Sequence, residues 1–181
     1  MSGIINSVGS KSGIIGSDVY PAGHVIQTIS QPKTSPQTIS DADFQEIITL
    51  NITPKTNTSK ILVIVNLCVG MPNTENAYPR FKLNQSIDGD IGVAAAAGDR
   101  ARTTSGTTHL IGLISYMGNV GMNHLDDPTI ASTPAQMTYK VMGAGHSDRT
   151  FYINRSGYYA DITDLDASGG ASTLTLMEIA Q

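Results

Sequence analysis

Ile48-Thr49-Leu50-Asn51-Ile52-Thr53-Pro54-Lys55-Thr56-Asn57-Thr58-Ser59-Lys60-Ile61-Leu62-Val63-Ile64-Val65 is the stretch that sets the fold class. Ile48, Leu50 and Ile52 fall on one side of a period-2 pattern, and Thr49, Asn51 and Thr53 fall on the other. That alternation is the mark of a half-buried β-strand. Pro54 ends it, because proline has no N–H to give to a ladder. Residues 55–60 are small, polar and suited to a turn. Residues 61–69 then run apolar at nearly every position, which reads as a central strand packed on both sides.

Outward from this strand–turn–strand unit the same grammar repeats. Val25, Gln27 and Ile29 alternate with Ile26 and Thr28. Residues 81–85 and 110–117 read as two further strands. Met137, Tyr139 and Val141 alternate with Thr138 and Lys140, and Phe151 and Ile153 with Tyr152 and Asn154. A last strand covers residues 172–179. These make about eight short strands, parted by Gly, Pro, Asn and Asp, and helical periodicity is hard to find. The alanine run at 93–97 is bracketed by Gly92 and Gly98 and reads as loop or a single turn. The expected fold is an all-β, jelly-roll-like antiparallel β-sandwich over residues 18–181.

Residues 1–17 differ. Ser2-Gly3-Ile4-Ile5 recurs as Ser12-Gly13-Ile14-Ile15, so Ile4, Ile5, Ile14 and Ile15 are apolar studs on a Gly/Ser backbone. Gly and Ser favour an extended, pliable chain. Such a segment reads as an N-terminal docking arm lying in a groove on a neighbouring subunit. The plainer alternative is an edge strand on its own domain.

Composition narrows function. Charged residues are 14% of the 181, against roughly 25% in an average soluble domain. A surface of Ser, Thr, Asn, Gln and Gly suits packing against other subunits. The net charge is −4 with no Lys/Arg run, so nucleic acid is not an expected partner. No apolar stretch is long enough to span a bilayer as a helix. The opening residues lack a secretory signal pattern, and assembly in a host cytoplasm is expected. The four Asn-x-Ser/Thr sequons at Asn51, Asn57, Asn84 and Asn154 then read as by-products of composition.

The quoted stretch also carries a resemblance. Residues 51–63 resemble an "ITP-S-SKI-LV" run of phage tail-fibre and virion-surface domains. Asp127-Pro128, Thr138-Tyr139-Lys140-Val141 and Tyr152-Ile153-Asn154-Arg155-Ser156 follow in the same order. Ser172-Thr173-Leu174-Thr175-Leu176-Met177-Glu178-Ile179 is similar to the terminal "S-LTLMEI" strand. Ser10-Lys11-Ser12-Gly13-Ile14-Ile15-Gly16 is similar to the leader of small marine-phage proteins of this type. The resemblance covers most of the chain and implies a jelly-roll sandwich, trimeric, displayed on the virion surface. This chain has an arm in place of a fibre shaft, so capsid decoration or cement is as natural as a tail fibre. The implied partners are further copies of the chain, other virion proteins of capsid or tail and, for the fibre reading, a host surface glycan.

Catalytic patterns are weak. Gly9-Ser10-Lys11-Ser12-Gly13 has lysine at the centre where a nucleophile elbow needs serine. It also lacks the Gly-Lys-Ser/Thr step of a phosphate loop. Cys68, the lone cysteine, sits in an apolar run and reads as a small buried hydrophobe. His24, His109, His124 and His146 are scattered, and no metal or cofactor is expected. Asp88-Gly89-Asp90 and the trio Asp161, Asp164 and Asp166 hint at calcium, but turns explain them better. The expectation is a protein without enzymatic activity. Loops 99–108 and 156–161, with Arg100, Arg102, Tyr158 and Tyr159, are the candidate receptor or partner contacts. The favoured reading of the two tyrosines is plainer: one plugs the end of the sandwich and the other meets a neighbouring subunit.

Overall fold

The structure is a computed structural model, and it describes residues 20–71, 78–106, 117–145, 150–157 and 168–181. The arm at 1–17, all but Met117 of the strand expected at 110–117, and the tyrosines Tyr158 and Tyr159 lie outside the described residues.

Eleven strands are described: β1 (Val25–Lys33), β2 (Gln37–Ile39), β3 (Gln45–Ile52), β4 (Lys60–Gly70), β5 (Arg80–Gln85), β6 (Gly89–Ile91), β7 (Ser105–Gly106), β8 (Met117–Asp126), β9 (Met137–Ala144), β10 (Phe151–Ile153) and β11 (Ser172–Ile179). Among the described residues there is no helix. The expected eight strands are thus too few. Short β2, β6 and β7 carry too little pattern to be seen, and β8 hides behind Gly118, Gly121, Asn119 and Asn123.

All described pairings are antiparallel, in two sheets. The six-stranded sheet runs β1-β11-β4, with β8 on the far side of β4, and β10 and β2 prolonging the β11 side past Asn66. The five-stranded sheet runs β3-β9-β5-β6, with β7 on β5. The result is the two-layer, jelly-roll-like β-sandwich that the alternation implies.

The core lies between the layers. Ile61, Val63, Val65, Leu67 and Val69 of β4 are buried against Leu83, Tyr139, Val141 and Phe81 of the other sheet, as part of one hydrophobic cluster. Phe81 and Phe151 meet edge-on across the layers, with ring centroids 5.6 Å apart, a favoured aromatic geometry. A bulge between Glu46 and Ile48 turns the consecutive residues Ile47 and Ile48 both inward.

The expectation that β4 is packed on both sides is corrected. Apart from the terminal Gly70, only its odd-numbered residues are buried, and Ile64 on the other side is 40% exposed. The apolar run comes from an outward face that is itself partly apolar. The sequence pattern cannot tell that from a second covered layer.

The motifs that carry the resemblance prove to be joints of the sandwich. Glu178 of β11 is fully buried. It accepts from Lys55 N (2.7 Å), Thr56 N (3.3 Å), Ser59 Oγ (2.6 Å) and Gln27 Nε2 (2.6 Å). One carboxylate therefore pins the β3–β4 turn and β1 to β11. Asn154 holds φ at 62°, and its Nδ2 donates to the carbonyls of Lys33 (2.7 Å) and Ser35 (3.1 Å). Its Oδ1 accepts from Ser172 Oγ at 2.6 Å.

Candidate interaction surface

The outward sides of the two sheets differ sharply in charge. On the six-stranded sheet the register lines up three rows across β8, β4, β11 and β1. The first is Leu125, Leu62, Met177 and Thr28. Asn123, Ile64, Thr175 and Ser30 form the second, and Gly121, Asn66, Thr173 and Pro32 the third. No residue in these rows is charged. Ile64 and Leu125 are 40% and 50% exposed, so the first two rows hold an apolar cluster open to solvent. Ser30 and Thr175 bond to each other across β1 and β11 at 2.8 Å.

The outward side of the five-stranded sheet is built from charges. Lys82 Nζ lies 2.8 Å from Asp90 Oδ2, and Lys140 Nζ lies 2.8 Å from Glu46 Oε2. Lys82 also stands 4.4 Å from the centre of the Phe44 ring, with Arg80 at 5.8 Å. The hydrogen bond from Lys140 holds the Glu46 carboxyl below its ordinary range. For Asp90, burial works upward, but the bonds from Lys82 and Asn84 outweigh it and its carboxyl is also lowered. On the six-stranded sheet the charges stand at the margin, in the row beyond Leu62, where Lys60 Nζ lies 3.2 Å from Asp127 Oδ2.

Between β8 and β9 lies a buried polar pair. The Tyr139 hydroxyl donates to Asp126 Oδ2 at 2.7 Å, and His124 Nε2 stands 4.0 Å from Asp126 Oδ1. Burial raises the Asp126 carboxyl above its ordinary value, more than the Tyr139 hydrogen bond and the nearby His124 lower it. The Tyr139 phenol is raised far out of its ordinary range by the same burial and by Asp126. The pair stitches the two sheets together.

The remaining sequence candidates fall as follows. Arg100 is exposed on the loop that joins β6 to β7. Arg102 is turned back on that loop, its Nε donating to Ala94 O at 2.8 Å. Tyr158 and Tyr159 lie outside the described residues, as do His109, His146 and Asp161, Asp164 and Asp166. His24 stacks on Tyr20 with centroids 5.8 Å apart. Asp88 and Asp90 sit at the β5–β6 turn, where Gly89 has φ of 80°. Asp88 Oδ2 accepts from Thr129 N at 3.0 Å, and Asp90 accepts from Lys82 and Asn84, so each carboxylate is engaged by protein donors. Among the described residues no three His, Cys, Asp or Glu side chains gather as a metal site would need.

Cys68 differs from the expectation of a buried hydrophobe. It is half-buried on the outward side of β4, with Sγ 3.3 Å from Asn119 Oδ1 and 3.2 Å from Ala171 O. An open groove of about 330 Å³ lies where residues 31–35 face 47–49 of β3, and its lining is mostly polar backbone and hydroxyl groups. Of the sequons, Asn154 is 3% exposed and committed to the core bonds above. The outward cluster of the six-stranded sheet escaped the sequence reading because its members lie on three separate strands. Only Leu62 and Ile64 share a segment.

No protein-family model and no curated protein matches this chain. Among solved structures it is similar to the C-terminal domain of EclA, described as a sugar-binding protein. Identity there is 14% over 79% of this chain and 84% of that one, with a TM-score of 0.33. It is also similar to a chain of infectious bursal disease virus, Gx strain. That match has 12% identity over 91% of this chain, with a TM-score of 0.40. The match covers 39% of the length of the viral chain.

Proposed function

We propose that this chain is a non-enzymatic structural protein of a bacteriophage particle. It is displayed on the virion surface as a capsid decoration or cement subunit, with its N-terminal arm docked on neighbouring subunits. The observation that carries the reading is the apolar cluster on the outer side of the six-stranded sheet, in rows without charge, with Ile64 and Leu125 exposed. Charge-poor, apolar surface of this kind is what subunit contacts cover. The ordered motifs that resemble those of phage surface domains add to it, because in this chain they form the buried joints at Glu178 and Asn154. Three-fold symmetry is the form that the resemblance implies.

The loop from β6 to β7, with Arg100 exposed, favours a second reading: a tail-fibre or receptor-binding subunit that recognises a host surface glycan. Copy number separates the two. Quantitative mass spectrometry of purified particles should give a ratio to the major capsid protein near one for decoration or cement. A few copies per particle would select the fibre reading, and absence from particles would remove both.

A further inference from the structure

We propose that the outward cluster formed by Leu62, Ile64, Leu125 and Met177 receives the isoleucine-studded N-terminal segment of a second copy of this chain. The proposal rests on the assembly reading above and names the surface on which the arm docks.

Three observations converge on this occupant. The first is chemical fit. Residues 1–17 carry a single charged side chain, Lys11, six residues after Ile5 and three before Ile14. The rows of the cluster hold no charge, and the flanking Lys60 is already paired with Asp127 at 3.2 Å, so docking one pair there offsets little of the apolar burial by desolvation. The outward side of the five-stranded sheet, with Glu46, Lys82, Asp90 and Lys140, offers no such match.

The second is where the chain enters. Gly23 N donates to Ala180 O at 2.8 Å and Ala180 N to His24 O at 2.9 Å. The chain at residues 20–24 therefore meets the sandwich beside the end of β11, with the row of Val25, Ile179 and Lys60 between it and the row that holds Met177 and Leu62.

The third is length. Ile4–Ile5 and Ile14–Ile15 are ten residues apart, about 33 Å when extended. The cluster spans three neighbouring strands, about 10 Å across, and about 7 Å along β4. It can seat one isoleucine pair and not both. A chain that leaves beside its own cluster has a second pair to place, and the same cluster on another copy is the matching surface. Repeated around a closed ring, each copy gives one pair and receives one.

The test uses full-length chains and sedimentation velocity. The acceptor variant carries Ile64→Glu and Leu125→Glu, both at exposed positions. The donor variant carries Ile4→Ser, Ile5→Ser, Ile14→Ser and Ile15→Ser. Thermal melts of both should lie within a few degrees of the wild type, showing intact sandwiches. The wild type should assemble, and each variant alone should need at least about 100-fold more protein to do so. An equimolar mixture of the two should regain a mixed species, because one supplies studs and the other supplies the cluster.

If the acceptor variant assembles like the wild type while the donor variant does not, the arm docks elsewhere: this proposal falls and the assembly reading stands. A donor variant that assembles normally removes the arm itself. Two failing variants that do not complement each other mean that the arm binds its own sheet. A wild type that stays monomeric at about 100 µM overturns docking between copies, while the particle copy number still decides the proposed function independently.

Discussion

Replacing Glu178 tests whether a single carboxylate holds three parts of the sandwich together. The group is fully buried and accepts four hydrogen bonds, two of them at 2.6 Å. No cation faces it in these bonds; backbone amides, a hydroxyl and a side-chain amide stabilise the charge. In Glu178→Ala the Ser59 hydroxyl, itself 1% exposed, and the Lys55 amide lose their acceptor. Each stranded buried donor costs roughly 1–3 kcal/mol, and the vacated volume adds to that. The expected loss is about 3–5 kcal/mol, which for a chain of this size lowers Tm by roughly 6–20 °C. Glu178→Gln keeps one acceptor oxygen but turns an amide towards Gln27, so its cost should be smaller, about 1–2 kcal/mol. Urea titration followed by circular dichroism measures both changes, and a cycle with Ser59→Ala isolates the shared term. A loss below about 1 kcal/mol in Glu178→Ala, or additive costs in the cycle, would refute the view that this bond set locks the turn.

Three more outcomes are expected. Gly70→Ala should be severely destabilising, by roughly 3 kcal/mol or more in a chemical melt, because a Cβ there would collide with the Arg155 carbonyl and lie 3.0 Å from Ser156 Cα, both backbone. Asn154→Ala should cost roughly 3 kcal/mol by the same assay, since it loses three bonds and leaves alanine at φ 62°. Asn154→Gly, which relieves the φ, should cost less. Asp126→Asn should change the pH profile of stability. Burial raises this carboxyl, so its favourable contribution is complete below the ordinary value of 3.8 and is lost as pH rises through the folded-state value. The variant should therefore gain on the wild type from pH 4 to pH 7 in thermal melts, and a difference that does not vary with pH would count against it. Glu46 and Asp90 run the opposite way, losing stability on acidification, and both are present in wild type and variant.

The sandwich was legible where alternation was strong. The period-2 pattern of 48–52, 137–141 and 172–179 marks β3, β9 and β11 to within a few residues. It fails for β8, whose buried Val120 and Met122 alternate with glycine and asparagine that blur the signal. Over β4 it misleads, because Leu62 and Ile64 face outward and look in sequence like a second buried layer. The polar joints were visible only as motif letters. Nothing local says that Ser59 and Glu178 meet, since they lie 119 residues apart. The outward cluster has the same origin: register across three strands creates it, and no window along the chain contains it.

The position of β11 has a consequence for how the chain is made. It lies between β1 and β4, pairing Val25 with Ile179 and Lys60 with Ile179 on its two edges. The first strand must therefore wait for a partner about 150 residues downstream. At ribosomal speeds of about 5–20 residues per second that delay is roughly 8–30 s. Throughout it, the facing edges of β1 and β4 have no strand between them, which is when edge-to-edge association between nascent chains is easiest. A copy broken off before residue 172 loses the middle of a sheet and not its margin, so only chains translated through β11 can close the six-stranded sheet.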